Sequence, residues 1–211
     1  NKFIPKDLPL TEYPDERETI CIGIWGKEEN FFTLKGLVDT IAETLFIDFE
    51  YVEDKKSFLH PYRTAKILYN GEEIGYLGQL TYEIQKEEDM RESAYIAEID
   101  LKALRPVYGK VPTFTPISRF AKETRDLALV MNKSVTCGEV EKAIVEASSF
   151  VESVELFDVY EGLQVGPEKK SMAFTVTFAP KEEEFTTEAV DGYVKKILKN
   201  LNNKLGVELR S

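Results

Sequence analysis

The sequence predicts an α+β protein of two domains, and three observations carry that reading. Strand-like and helix-like periodicities alternate along both halves of the chain. An Asn70-Gly71 pair sits between two β-rich runs. A stretch with three prolines and neither periodicity, Arg105–Ser118, separates the halves. Proline fixes φ and removes a backbone donor, so that stretch reads as an extended linker. The domain boundary is placed within it, giving 1–110 and 111–211.

In the first half, Glu18–Trp25 alternates Ile20, Ile22 and Ile24 against Cys21, Gly23 and Trp25. Both sets are apolar or small, so a strand covered on both faces is expected, with Cys21 packed as a small apolar residue. Leu34, Leu37, Val38, Ile41, Ala42 and Leu45 form one stripe at helical spacing, with Thr33 as the expected N-cap. A short strand over Phe49–Val52 and a polar loop over Asp54–Ser57 follow. Both residues of Asn70-Gly71 accept positive φ, as a two-residue type I′ turn requires. Tyr82–Asp89 reads as a short polar helix and Tyr95–Leu101 as a strand.

In the second half, Arg125–Asn132 is an apolar strand. Thr136 and Glu139 have the spacing of a capping box for the helix that carries Val140, Ile144 and Ala147. Val151–Tyr160 and Lys169–Phe178 alternate as strands. Thr186 or Thr187 opens a helix through about Leu205, Gly206 suits its C-terminal cap, and Val207–Arg210 is a last strand. The order β-α-β-β-α-β is that of a ferredoxin-like fold, which covers one sheet face with two helices and leaves the other free. Single-stranded RNA readers use such a free face, although the fold hosts unrelated functions as well.

Composition narrows the chemistry. The chain has 211 residues, 43% of them hydrophobic and 31% charged, so it can build cores without disulfides or metal. Its only cysteines, Cys21 and Cys137, lie too far apart for a C-x-x-C motif, and His60 is the only histidine. These counts exclude a His-rich metal site and a pair of histidine acid and base groups. No apolar run approaches a membrane span, and cytoplasmic placement is expected. The chain begins with Asn1, and a piece of a longer protein is expected, with processing the plainer alternative. The net charge is −11, of which residues 1–110 contribute −8 and residues 111–211 contribute −3. Affinity for phosphate comes from positive charge, so a polyanion partner would use local clusters in the second half.

Arg119, Lys122 and Arg125 form one such cluster, beside Phe114 and Phe120. Guanidinium groups contact phosphate and aromatic rings stack on bases, so this combination suits single-stranded RNA; docked aromatics and solvated charges are the plainer reading. Lys169 and Lys170 begin a strand, where they can meet phosphate or blunt a sheet edge. Arg210 ends the last strand. Phe157 and Tyr160 alternate faces, so at most one looks to the free side. The loop with Gly162 and Gly166 lacks both G-x-G-x-x-G and a P-loop lysine and reads as hairpin chemistry. Asp126 is expected to order backbone or pair with a basic neighbour. His60 and Arg63 are candidates for pairing with a carboxylate or another chain.

Several segments together resemble the C-terminal region of the bacterial phenylalanyl-tRNA synthetase β chain. In the second half they are PISRF at Pro116–Phe120, RDLALV at Arg125–Val130, VELFDVYEG at Val154–Gly162, KKSMAFTVTF at Lys169–Phe178 and KLGVELR at Lys204–Arg210. In the first half they are FFTLKGLVDTIAETL at Phe31–Leu45, HPYRTAKI at His60–Ile67 and IGYLGQL at Ile74–Leu80. The chain departs from the usual family pattern at Ala121, Thr124, Tyr62 and Thr81-Tyr82, where the family has proline, a second arginine, glycine and a His-Pro pair.

The resemblance implies a partial, inactive synthetase-core module of the class II type over 1–110, with a mixed or antiparallel sheet. It implies a ferredoxin-fold anticodon-binding domain over 111–211. It also implies tRNA(Phe) and a catalytic α chain as partners, in a cytoplasmic heterotetramer of two α and two β chains. ATP and Mg²⁺ would then serve the parent enzyme, with no cofactor, metal or catalytic residue in this fragment. The tRNA-binding candidates are Arg119, Lys122, Arg125, Lys169, Lys170 and Arg210. The competing class is a protein-assembly or small-ligand regulatory module using the same free sheet face.

Overall fold

The computed structural model describes residues 2–6, 9, 11–109, 111, 113–114, 119–162, 164–181 and 183–210. The chain divides into two compact units, Asn1–Phe114 and Thr115–Ser211, each with its own apolar core. The linker expected over 105–118 lies partly outside the described residues; Arg105–Val107 form a single 3-10 turn.

The first unit opens with a small antiparallel ladder of β1 (Lys2–Ile4) and β2 (Asp15–Arg17). Then come β3 (Thr19–Trp25), α1 (Phe31–Leu45), β4 (Glu50–Glu53), β5 (Leu59–Tyr69), β6 (Glu72–Leu80), α2 (Tyr82–Glu87) and β7 (Ala94–Asp100). Five of the strands form an antiparallel sheet in the order β3-β7-β6-β5-β4. Leu34 and Val38 of α1 are fully buried in one core with Ile67, Leu77 and Ile99 of the sheet. The β5–β6 connection is the expected two-residue hairpin: Tyr69 pairs with Glu72, and Asn70 and Gly71 have φ of 51° and 79°.

Two expectations for this unit need correction. Helix α1 is capped by Asn30, not Thr33. The Asn30 Oδ1 accepts from the backbone N–H of Phe32 (2.8 Å) and Thr33 (3.1 Å), and the Thr33 hydroxyl accepts in return from the Asn30 N–H. Thr33 is therefore the third helical residue, and its hydroxyl completes the capping box in place of Glu or Gln. Strand β3 is covered on one face only. It is a sheet edge; Ile22 and Ile24 pack toward the core, while Cys21 is exposed and Trp25 is 72% exposed. An all-apolar pattern does not distinguish a doubly covered strand from an edge strand with one bare side.

The second unit runs β8 (Glu123–Asn132), α3 (Cys137–Ala147), β9 (Val151–Tyr160), β10 (Lys169–Phe178), α4 (Thr187–Leu205) and β11 (Glu208–Leu209). Its sheet order, β11-β8-β10-β9, is antiparallel throughout and is that of the expected ferredoxin-like fold. Leu127, Leu129 and Met131 of β8 and Phe174, Val176 and Phe178 of β10 form a core with Val140, Ile144, Ile197 and Leu201 of the two helices. Alternation along a strand then sends the intervening residues of β8 and β10 to the opposite face.

The capping box of α3 forms as read. Thr136 Oγ1 accepts from the Glu139 N–H at 3.3 Å, and Glu139 Oε2 accepts from the Thr136 N–H at 2.8 Å. Replacing Thr136 with Ala is expected to cost about 1 kcal/mol, read as a lower thermal midpoint for the second unit. Hydrogen bonds from the Thr136 backbone and hydroxyl hold the Glu139 carboxyl below its usual pKa. A carboxylate lowered in the folded state stabilises above its unfolded pKa and loses that contribution as pH falls through the folded value. Thermal melts should therefore show the Glu139→Gln variant converging on wild type as the pH drops below about 4. A difference independent of pH would contradict this assignment.

Candidate nucleic-acid interface

The open face of the second unit's sheet is built from the residues that alternate with its core. Strand β8 contributes Asp126, Ala128 and Val130; β10 contributes Lys169, Ser171, Ala173 and Thr175. In the middle strands the side chains are small, so a flat floor results.

The alternation of strand β9 changes partway. Phe174 pairs with Leu156, but Ala173 pairs with Asp158, so Phe157 is an extra residue in a β-bulge. Beyond the bulge the facing reverses. Asp158, opposite Ala173, and Tyr160, opposite Ser171, look to the open face, whereas Val159, opposite the buried Met172, does not. Simple alternation could not show this.

Tyr160 is the centre of a small assembly. The Arg210 guanidinium lies over its ring, 5.1 Å from the centroid, and donates to Gln164 Oε1 at 2.9 Å. Arg210 is fixed by its backbone N–H, which donates to the Ala128 carbonyl at 2.8 Å. The loop after β9 closes against the same ring: a Cβ at Gly162 would stand 2.3 Å from the Tyr160 hydroxyl oxygen. A side chain at Gly162 would therefore push the end of the Tyr160 ring out of this position. Beneath this group Ser171 is 3% exposed. Farther along the face, Thr175 Oγ1 donates to Asp126 Oδ1 at 2.7 Å, which leaves the other carboxylate oxygen of an exposed side chain free of that bond.

The six basic candidates do not form one cluster. Lys169 and Arg210 are on the open face, at the end near Tyr160. Arg125 pairs with the buried Val176 and Lys170 with the buried Met131, so both stand on the helix-covered face. Arg125 is engaged by Glu123 (3.1 Å), and Lys170 lies near Glu139. Lys122 pairs with Glu152 at 2.5 Å. Arg119 is exposed just before β8. Lys169 is opposite Asn132, seven residues from Arg125 along β8, a separation of roughly 23 Å at strand rise. The charged groups around the open face are instead mixed: Asp126, Glu155, Asp158 and Glu208 with Lys169 and Arg210.

In the first unit, His60 Nδ1 accepts from the Tyr62 N–H, and Arg63 donates to Gln79 at 2.6 Å. Arg63 thus pairs with a buried amide and not with a carboxylate. His60, Gln79, Gln85 and Arg91 help line a cavity of about 400 Å³. Among the described residues no group of three or more His, Cys, Asp or Glu side chains is placed to hold a metal ion, and no helix is long and apolar enough to cross a membrane.

Comparison with known proteins divides the chain in the same way. Residues 1–101 match the family described as phenylalanyl tRNA synthetase beta chain CLM domain, and residues 118–210 match the ferredoxin-fold anticodon binding domain. The phenylalanine–tRNA ligase beta subunit of Bacillus subtilis is 37% identical over 99% of this chain and 27% of its own length. That of Halalkalibacterium halodurans is 32% identical over 99% of this chain and 27% of its own length. That of Streptococcus pyogenes serotype M18 is 37% identical over 86% of this chain and 23% of its own length. The chain spans about a quarter of the length of the curated relatives it matches.

Proposed function

Because the chain belongs to the phenylalanyl-tRNA synthetase β-chain family, we propose that its second unit holds the anticodon loop of tRNA(Phe) on the open sheet face while aminoacylation occurs on a partner α chain. The observation that carries this reading is the Tyr160–Arg210 assembly on an otherwise flat face of small side chains. Single-stranded RNA is read by stacking splayed bases on aromatic or guanidinium planes and by hydrogen bonds to base edges. Tyr160 and Arg210 supply the planes. Asp158 and Asp126 supply acceptors for base edges, and Lys169 supplies a phosphate contact near Tyr160.

The acidic character of this face fits bases better than backbone, since a carboxylate accepts from base N–H groups but repels phosphate. The mechanism is positional: holding the distal loop orients the acceptor end and lowers the entropic cost of meeting the active site. In this reading the first unit, a core-like module without catalytic groups, contributes to assembly. The complete enzyme is a cytoplasmic heterotetramer of two α and two β chains, and ATP and Mg²⁺ act on the α chain.

The test is fluorescence anisotropy with tRNA(Phe) and a transcript altered only in its anticodon. A loss of about tenfold with the altered transcript is expected, the scale of one stacked and bonded base. Equal affinity overturns the reading. Arg119→Ala/Arg125→Ala is expected to change binding less than about threefold, because Arg125 stands on the other face and is already paired. A protein-binding role is favoured by one feature, the exposed run of Leu156, Phe157 and Val159 on the β9 edge. Under that role neither transcript would bind.

A further inference from the structure

A second charged surface lies on the opposite side of this unit. Helix α4 buries Val190, Ile197 and Leu201, so Lys199 and Asn203 point outward, with Lys195 and Lys196 on either side. All three lysines are exposed. Residues 192–204 contain four lysines and no aspartate or glutamate; the helix's acids, Glu188 and Asp191, are confined to its start. This is unusual for a chain of net charge −11.

Several other cations of the unit are drawn into ion pairs. Lys122, Arg125, Lys133 and Lys204 are each held by a carboxylate, from Glu152, Glu123, Glu161 and Glu146. Among the described residues no carboxylate forms an ion pair with Lys195, Lys196 or Lys199; the Lys196 ammonium lies 5.9 Å from the Tyr193 ring centroid. Lysines in the later turns of a helix suit its dipole, but that effect fades beyond the last turn, and Lys195 lies more than two turns from the end at Leu205. Lys195 and Lys199 are four residues apart, which places their Cβ atoms about 6 Å from each other along one line. Such a row lines up positive charge along the helix, and the exposed Asn202 and Asn203 extend it with neutral donors.

We propose that the outer face of α4, through Lys195, Lys196 and Lys199, is a sequence-independent docking surface for the phosphate backbone of RNA. The proposal rests on the reading of this unit as RNA-binding. It adds a contact on the side away from the sheet, so the strand held there is a different stretch of RNA from the one whose bases meet Tyr160. Base recognition and backbone attraction are thereby separated: an acidic, flat face reads, and a basic helix attracts.

The experiment is a salt titration of tRNA binding by the full chain from 50 to 200 mM. The Lys195→Gln/Lys196→Gln/Lys199→Gln variant is compared with the matching Lys→Arg triple and with Tyr160→Ala. The Gln triple should bind every tRNA about thirtyfold more weakly at 50 mM, the gap narrowing toward 200 mM, with the slope of log affinity against log salt reduced by about two. The Arg triple should keep both values. A Gln triple with wild-type affinity and slope overturns the proposal, whatever Tyr160→Ala does. Loss of anticodon discrimination in Tyr160→Ala, or its absence, judges the sheet-face reading separately. Failure of the wild-type chain to bind tRNA at 50 mM overturns both.

Discussion

Alanine at Gly75 is expected to disrupt the first unit. Gly75 lies in β6, between β5 and β7, opposite Ile67 on one side and Ile99 on the other. A Cβ there would stand 2.1 Å from the Glu98 carbonyl oxygen and 3.0 Å from the Ile99 Cα. Both are backbone atoms of a paired strand, so no side chain can swing aside; β6 and β7 must separate. Overpacking of this kind costs about 3 kcal/mol or more, which for a unit of this size lowers the melting midpoint by roughly 12–24 °C. The contrast is Gly36→Ala in α1, where nothing lies within 4 Å of the added Cβ. That change should raise stability by up to about 1 kcal/mol. Calorimetry that finds the two variants equally stable would refute the close approach at Gly75.

Tyr160→Ala should have the largest effect on binding. Alanine removes the ring under Arg210 and the surface on which a base stacks. Aromatic stacking is worth about 1–3 kcal/mol per base, a loss of roughly 5- to 150-fold in affinity for tRNA(Phe). Tyr160→Phe keeps the ring and should retain most of the affinity, since the hydroxyl meets the loop at Gly162 and not the floor of the face. Tyr160→Ala with wild-type affinity and an intact thermal transition would remove Tyr160 from the interface.

Most of the fold was legible because local chemistry and long-range packing agree. The Asn70-Gly71 turn, the Thr136–Glu139 capping box and the core alternation of β8 and β10 each follow from residue type and spacing. Thr33 misled because any of several polar residues can begin a helix, and only the extended backbone of Asn30 identifies it as the cap. Strand β3 misled because an edge position is a property of the sheet and not of the strand.

The site was less legible than the fold. Arg119, Lys122 and Arg125 are neighbours in sequence, yet alternation and ion pairing disperse them. Tyr160 and Arg210 are 50 residues apart in sequence and meet only because β11 and β9 flank the two central strands. Even Tyr160 could not be assigned a face without the bulge at Phe157. The signal that was present is Gly162, two residues after Tyr160, whose missing side chain makes room for the ring.

The most direct measurement is an amide NMR titration of the labelled chain with the isolated anticodon stem-loop of tRNA(Phe). The sheet-face account predicts saturable shifts at Asp158, Tyr160, Ser171, Ala173 and Arg210, with the first unit unmoved. Shifts confined to the first unit, or none on β8, β9 and β10 at concentrations that saturate binding, would contradict it.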